Sequence, residues 1–309
     1  MIKYTEISQF NIEETVAVTF GKFDGFHRGH QKLLNEVLFY SKENNINSLV
    51  CSFDMSDFIL KSGMNYDCLM TERERELFLS DKVDYYIDQK FTDDIMNIEA
   101  EDFIENIIYK QFKGVFVIVG TDFRFGKGNR GDIHMLSYYQ EKYGYTLVVV
   151  PKIRYEDKVI SSTLIRNVLS GGNLAMANAL LGREYSISGR IQEGKKIGRT
   201  LGFPTCNIKP VPCKILPPEG VYTGKAVVLG KEYLAVTNIG KNPTIDDNLS
   251  LVIESYLINF DEDVYGEEIE IYLHSFLRNE KKFKSKEELS KQMKVDVADT
   301  IQSKDQILK

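Results

Sequence analysis

Residues 18–31 read Val-Thr-Phe-Gly-Lys-Phe-Asp-Gly-Phe-His-Arg-Gly-His-Gln and indicate the fold of the N-terminal half. A β-branched, apolar run at residues 16–20 ends in a turn punctuated by glycine (residues 21–27, the glycine turn), and an amphipathic helix is predicted to follow. His27 and His30 are three residues apart where this helix begins, so both imidazoles can lie on one helix face. Because a helix N-terminus binds phosphate, the pattern predicts a nucleotide-phosphate site.

Short β-rich runs alternate with helix-period stretches through the first half of the chain. The runs lie at residues 16–20, 48–53, 83–87, 115–120 and 146–150. Thr71 and Glu74 have the spacing of a capping box that opens one of the intervening helices. Another helix is predicted over residues 100–112. This alternation predicts an α/β, Rossmann-like domain with a parallel sheet, whose ligands bind beyond the carboxyl ends of the strands.

The pattern changes near Gly182. Strand-like runs now follow one another with turns between them, at residues 185–191, 220–229, 233–239, 251–260 and 268–277. Gly230 and Lys231 resemble a tight hairpin turn. Such a series predicts a small antiparallel β-barrel. Ser285 caps a terminal helix, whose apolar stripe predicts packing and consists of Leu289, Met293, Val297 and Ile301. We place two domains at residues 1–182 and 183–309.

Composition excludes several classes of function. Hydrophobic residues make up 43% and charged residues 27% of the 309, as in a globular protein with a substantial core. The net charge of −6 argues against a dedicated nucleic-acid binder. No apolar run is long enough to cross a membrane, the N-terminus lacks a signal peptide, and the four cysteines form no CxxC pair. We expect a cytoplasmic protein without membrane or nucleic-acid partners and without structural zinc.

The glycine turn and the residues after it resemble the HxGH nucleotidyltransferase superfamily. In particular they are similar to the N-terminal module of the bacterial bifunctional riboflavin kinase/FMN adenylyltransferases, also called FAD synthetases. The resemblance implies catalytic roles for His27 and His30. It also implies a nucleotide-binding role for Gly21, Phe23, Asp24, Gly25 and Gly29.

Two further segments of the first half admit both a structural and a functional interpretation. Ser162 and Thr163 open a predicted helix, where hydroxyls commonly act as caps, and Arg166 follows one turn later. Beside the histidine motif they resemble the second superfamily signature, which implies phosphate contacts for the hydroxyls and charge stabilisation by Arg166. The Gly-x-Asp-Phe-x-Phe-Gly segment at residues 120–126 is either a packed loop or, by resemblance, the flavin side of the adenylyl site. That resemblance implies flavin binding by Asp122, Phe123, Arg124 and Phe125.

The second half carries matching motifs of riboflavin kinase. A cationic, glycine-rich loop begins at residue 194, and Gly-Phe-Pro-Thr-Cys-Asn at residues 202–207 resembles the Gly-Phe-Pro-Thr-Ala-Asn signature. Thr205 and Asn207 supply hard oxygen ligands suited to Mg²⁺ shared with ATP. The resemblance implies that Glu254 is catalytic and that Arg278 contacts the flavin, although a lone strand glutamate is usually a surface residue. The nucleotide-binding residues that it implies are Gly194, Lys196, Gly198, Gly202 and Pro204.

One segment departs from the family pattern. Residues 53–58 read Phe-Asp-Met-Ser-Asp-Phe, where the family usually has a Phe-x-Pro-His-Pro-like segment. Loss of both prolines predicts a more flexible, acidic loop. Carboxylates near phosphates are unfavourable without a cation. We therefore expect the adenylyltransferase half to be the one with reduced or altered activity.

The resemblance spans nearly the whole chain and implies a flavin-cofactor enzyme that uses ATP and Mg²⁺. The C-terminal domain would phosphorylate riboflavin to FMN with ATP, and the N-terminal domain would transfer the adenylyl group of a second ATP to FMN, which gives FAD and pyrophosphate. Two alternatives stay open at this point. One is a riboflavin kinase with an inactive or altered N-terminal domain, and the other is a flavin-binding regulator without turnover.

Overall fold

The computed structural model describes residues 1–194, 198, 201–242 and 250–308. The chain divides into two compact units, Met1–Ser162 and Thr163–Lys309. No helix in the described part of the chain is both long and apolar enough to span a membrane.

A six-stranded parallel sheet forms the centre of the first unit, as predicted. Its strands are β1 (Ile2–Tyr4), β2 (Val16–Gly21), β3 (Asn47–Asp54), β4 (Tyr85–Lys90), β5 (Gly114–Gly120) and β6 (Thr146–Val150). Their order across the sheet is β1-β4-β3-β2-β5-β6. The glycine turn therefore leaves an inner strand, at the edge where ligands bind in such sheets.

Helices cover this sheet on both faces. They are α1 (Arg28–Asn44), α2 (Ser56–Lys61), α3 (Glu72–Leu79), α4 (Asp93–Met96), α5 (Ala100–Asp102) and α6 (Ile133–Tyr143). A π-helix at Phe103–Gln111 continues α5, so most of the helix predicted over residues 100–112 has wider turns than expected. The capping box of Thr71 and Glu74 is confirmed. Short 3₁₀ turns lie at Ile7–Gln9 and Lys127–Asn129, and a small hairpin pairs β7 (Arg154–Tyr155) with β8 (Lys158–Val159).

The second unit is built on a six-stranded antiparallel sheet. Its strands are β9 (Tyr185–Arg190), β10 (Thr205–Ile208), β11 (Gly220–Val228), β12 (Lys231–Asn242), β13 (Ser250–Leu257) and β14 (Glu268–Arg278), in the order β10-β13-β12-β11-β14-β9. The N–H of Gln192, just after β9, donates to the Asn207 carbonyl of β10 at 2.8 Å. This bridge joins the two edges of the sheet and confirms the predicted barrel. Helices described in this unit include α7 (Ser162–Ser170), α8 (Leu174–Leu181), α9 (Lys286–Gln302) and α10 (Lys304–Ile307).

Two local predictions for the second unit have different outcomes. The hairpin between β11 and β12 exists, but its turn residues are Leu229 and Gly230, one position earlier than predicted. Both have positive φ, 50° and 72°, which matches the tight turn that fits the twist of a hairpin. The start of α9 is confirmed, since the Ser285 hydroxyl accepts a hydrogen bond from the N–H of Glu288 at 3.2 Å.

Candidate functional site

The two histidines after the glycine turn form a stacked pair at the start of α1. His27 is the N-cap residue, and its Nδ1 accepts a hydrogen bond from the His30 backbone N–H at 3.3 Å. The ring centroids lie 3.7 Å apart, with an angle of 18° between the planes. The prediction that the two imidazoles lie on the same side at the start of a helix is confirmed. An anion bound there would meet the positive end of the helix together with both rings.

The glycine turn holds two aromatic residues in a backbone conformation that usually belongs to glycine. Phe23 and Phe26 have φ values of 43° and 36°, on either side of Gly25 at 84°. Each such non-glycine residue costs about 1–3 kcal/mol and persists only where its surroundings fix it. Both rings are fully buried and stack at 5.1 Å. Phe23, predicted to bind nucleotide, therefore shapes the turn and has no exposed surface to offer a ligand.

Two glycines are required here by close contacts. A Cβ on Gly29 would lie 3.1 Å from the His27 ring, and one on Gly21 would lie 3.0 Å from the Phe23 ring. Contacts this short would displace the rings in a close-packed interior. Glycine at these two positions lets the histidine pair and the turn keep their geometry.

Asp24 stabilises the glycine turn through hydrogen bonds to residues outside it. Its carboxylate oxygen Oδ1 accepts hydrogen bonds from the backbone N–H groups of Leu69 at 2.8 Å and Met70 at 3.1 Å. Its backbone carbonyl accepts a hydrogen bond from the Ser162 hydroxyl at 2.8 Å. Asp24 and Ser162, both predicted to contact nucleotide, are thus engaged in holding the turn. Thr163 and Arg166 lie on α7 within the second unit, and their role beside the histidines stays a prediction.

The loop at residues 120–126 is held by ion pairs and packing. Asp122 pairs with Lys152 at 2.8 Å, and Arg124 pairs with Asp132 at 2.8 Å. Phe123 stacks on Phe20 and on Phe125. Phe125 is buried, also contacts Phe103, and lies so close to Gly131 that a Cβ there would be 2.5 Å from its ring. The expected exposed aromatic face is therefore absent at Phe125, whose ring belongs to the core.

The segment that departs from the family pattern is not the loop that we predicted. Residues 56–61 form α2, and the Asp54 carboxylate accepts hydrogen bonds from the N–H and hydroxyl of Ser56, both at 2.9 Å. Asp57 pairs with Lys90 at 3.5 Å. Without prolines the backbone N–H groups can donate the helical hydrogen bonds of α2, such as that from Ile59 to the Met55 carbonyl at 2.9 Å, and the acidic residues stabilise the start of the helix.

The strand register of the second unit brings its predicted polar residues into one row. Asn207 of β10 lies opposite Glu254 of β13, which lies opposite Asn238 of β12. Residues directly opposite one another have their Cβ atoms about 5 Å apart on the same face of the sheet. Thr205 and Tyr256, two positions along their strands and opposite each other, share that face. The register thus places the candidate catalytic carboxylate between two amides.

This face of the barrel forms the floor of a cavity of about 300 Å³. Val221 and Val236 continue the floor beside the row, and α9 contributes one wall through Leu289, Met293 and Val297. Arg278, the last residue of β14, also lines the cavity, and the segment after it contributes Glu280, Lys281 and Phe283. The cavity therefore joins an apolar wall to a polar row, which is the usual composition of a small-molecule site.

Thr205 and Asn207 are suited to hold Mg²⁺. The Asn207 Nδ2 donates to the Thr205 carbonyl at 3.1 Å and lies 3.5 Å from its hydroxyl, so the amide oxygen is the atom left for a cation. A threonine hydroxyl and an amide oxygen are hard ligands, and Mg²⁺ usually completes its shell with water and phosphate oxygens. Gly194 packs against the Asn207 amide, where a Cβ would lie 2.6 Å from Nδ2. The donor set fits the ion.

The glycine-rich loop before β10 is described only in part. The Gly198 carbonyl accepts hydrogen bonds from the N–H groups of Leu201 and Phe203, at 3.0 and 2.8 Å. A Cβ on Gly198 would clash with the Phe203 carbonyl, and Gly202 has φ 82°. Pro204 is exposed next to these turns. Lys196 lies outside the described residues.

Arg278 is fixed by the terminal helix. Its Nε lies 3.0 Å and its NH2 nitrogen 2.8 Å from the two carboxylate oxygens of the buried Asp296. Near it, the Asn238 Nδ2 donates to Glu280 Oε1 at 3.0 Å, and the Glu280 carboxylate lies over Gly240. The sequence motifs did not single out Asn238 or Glu280. The α9 stripe was predicted to serve in packing alone, although three of its four members line the cavity.

Comparison with known proteins covers both units. A riboflavin kinase family model matches residues 181–304, and an FAD synthetase family model matches residues 9–164. The bifunctional riboflavin kinase/FMN adenylyltransferase of Buchnera aphidicola (subsp. Schizaphis graminum) is 35% identical over 93% of both chains. That of Escherichia coli K12 is 34% identical over 92% of this chain and 91% of its own.

A solved structure has the same fold over the full length. It is described as a macrolide-efflux protein from Streptococcus pneumoniae, has 27% identity and a TM-score of 0.83, and the match covers 97% of this chain and 98% of that one. The chain is more than 30% identical to the Buchnera and Escherichia coli enzymes over about nine-tenths of their length, and both family models match in the expected order. These two findings establish the family. The chain belongs to the family of bifunctional riboflavin kinase/FMN adenylyltransferases.

Proposed function

We propose that this chain converts riboflavin to FMN in residues 183–309 and FMN to FAD in residues 1–182, using ATP in both steps. The observation that carries the proposal is the row Asn207–Glu254–Asn238 on the floor of a cavity with an apolar wall. A flavin has a flat apolar ring system and a polyhydroxylated ribityl chain, and these two parts match the wall and the row.

In the kinase step, Glu254 would accept the proton of the terminal ribityl hydroxyl as its oxygen attacks the γ-phosphorus of ATP, and ADP would leave. Thr205 and Asn207 would hold Mg²⁺, which when bound neutralises phosphate charge. Arg278, held by Asp296, would contact the flavin, with the glycine-rich loop (including Gly194, Lys196 and Gly198) over the phosphates.

In the adenylyl step, a phosphate oxygen of FMN would attack the α-phosphorus of ATP, and pyrophosphate would leave. His27, His30 and the N-terminus of α1 would stabilise the negative charge that builds on the phosphate oxygens. Arg166 and Thr163 would assist, with Asp122, Phe123 and Arg124 on the flavin side. Since both steps consume ATP, we place the protein in the cytoplasm.

The test is a time course of the purified chain with riboflavin, ATP and Mg²⁺, with flavins separated by chromatography. FMN should appear first and then give way to FAD, and chelation of Mg²⁺ should stop both steps. FMN that accumulates without FAD would contradict the adenylyl assignment. Flavin binding without ATP consumption would contradict both.

A further inference from the structure

A buried ion pair lies behind the nucleotide site of the first unit. Arg75 of α3 and Asp88 of β4 each have side chains only 4% exposed, with NH2 and Oδ2 3.1 Å apart. The Arg75 Nε also donates to the hydroxyl of the buried Tyr86 at 3.3 Å. Buried ion pairs seldom add more stability than well-packed apolar residues of similar volume. The other contacts of the guanidinium therefore indicate a role besides stability.

The third contact of the Arg75 guanidinium is with a residue that also binds the glycine turn. The Arg75 NH1 donates to the Met70 carbonyl at 3.2 Å. On the other side of the same residue, the Met70 N–H donates to Asp24 Oδ1 at 3.1 Å, beside the Leu69 N–H. The capping box of Thr71 fixes the intervening start of α3. One residue thus connects the ion pair to the carboxylate that supports the turn.

We propose that the Arg75–Asp88 pair is a positioning element for adenylyl transfer, which holds the Met70 backbone so that Asp24 keeps the glycine turn in its strained form. The inference rests on the proposed function of the histidine pair. Asp24 lies between Phe23 and Gly25, both with positive φ, and the histidine pair follows directly. A turn of this kind relaxes when its supports are removed, and the histidines would then move relative to the phosphates.

The test compares variants of the full chain by kcat and KM for FAD formation from FMN, with FMN formation from riboflavin as an internal reference. Arg75→Met should lower kcat for FAD formation roughly 10- to 100-fold, and Arg75→Lys should recover part of it. The double variant Arg75→Met/Asp88→Leu replaces the pair with apolar side chains and should stay folded yet remain slow. Arg73→Met, on the exposed face of the same helix, should behave as wild type.

Each outcome decides between the alternatives. Wild-type kcat in the apolar double variant would mean that the pair only stabilises the fold, and would overturn the inference. If the double variant does not fold, Arg75→Lys and Asp24→Asn are combined. If the combined variant loses no more kcat for FAD formation than the more affected single variant, Arg75 and Asp24 act through the same contacts. If the two losses in kcat multiply, the two residues act independently and the inference is wrong. A wild-type chain that makes no FAD from FMN overturns the proposed function instead, and this inference with it.

Discussion

The two units form their candidate sites from different parts of the chain. In the first unit the site is a backbone turn at the end of a parallel strand, and the side chains that shape it, such as Asp24 and Phe23, are buried behind it. In the second unit the site is a row of side chains on the face of an antiparallel sheet, where register alone brings Asn207, Glu254 and Asn238 together.

The two sites should therefore tolerate different changes. A turn held in strained geometry depends on glycines and on distant supports, so small changes far from the ligand should weaken it. A row of side chains on a sheet depends on those side chains themselves, because the backbone hydrogen bonds between the strands fix the register and with it their positions. Single substitutions can separate these two modes of failure, because the activity of each unit serves as the reference for the other.

The largest effect is expected for Glu254→Gln. The amide keeps the shape of the carboxylate but cannot accept the hydroxyl proton, so FMN formation should fall roughly 10²- to 10⁴-fold. FAD formation from supplied FMN should be unchanged when both products are quantified by chromatography. Glu232→Gln, an exposed change on β12 outside the cavity, is the matched control. Equal loss of both activities would show that the row is not a kinase site.

The converse change is at His27. His27→Asn keeps an oxygen that can cap α1 but removes the imidazole, and FAD formation should fall roughly 10²- to 10³-fold while FMN formation is kept. His27→Ala should lose in addition about 1 kcal/mol of stability from the missing cap, measured by denaturant unfolding. His134→Ala, on the surface of α6, is the control. Undiminished FAD output from His27→Asn would rule out a catalytic imidazole there.

A smaller effect is expected for Gly29→Ala, where activity should fall with little change in stability. Position 29 is the second residue of α1, so alanine gains less than the roughly 1 kcal/mol that it gains over glycine in a helix interior, and the contact with the His27 ring offsets that gain. The added Cβ meets the His27 ring at 3.1 Å and displaces it, so FAD formation should fall roughly tenfold. Asn35→Ala, exposed on the same helix, should stabilise without loss of activity. If Gly29→Ala forms FAD at the wild-type rate, the exact position of the His27 ring does not matter for adenylyl transfer.

Much of this architecture follows from local sequence signals. Strand and helix alternation, the capping box of Thr71 and the turn signals of the second half were enough for a parallel sheet followed by a small barrel. The π-helix at Phe103–Gln111 was not foreseen, because the same apolar spacing fits either kind of helix turn. The hairpin turn was misplaced by one residue because Leu229 adopts positive φ next to Gly230, although leucine rarely does so.

The sites were predicted less completely, for a physical reason. His27, His30, Glu254, Thr205 and Asn207 belong to short motifs and could be named from the sequence. The support that Arg75 gives to Asp24 crosses 51 positions of the chain and leaves no periodic signal. Burial also decides roles that the sequence leaves open, as at Phe125, whose ring is as suitable for a core as for a flavin. Both features depend on contacts between residues far apart in the sequence, which local motifs do not predict.

The smallest effect, at Met293, tests whether the α9 stripe belongs to the site or only to the core. Met293→Ala removes apolar surface from the cavity wall, and a loss of about 1 kcal/mol in binding would raise KM for riboflavin roughly fivefold. KM for ATP should not change, because ATP would bind at the glycine-rich loop. Ile301→Ala lies on the same stripe two turns further along, where the side chain is 48% exposed, and should leave both KM values unchanged. If the two variants behave alike, α9 packs against the barrel without contacting the flavin, and the site of the second unit consists of the sheet face and the segment after β14.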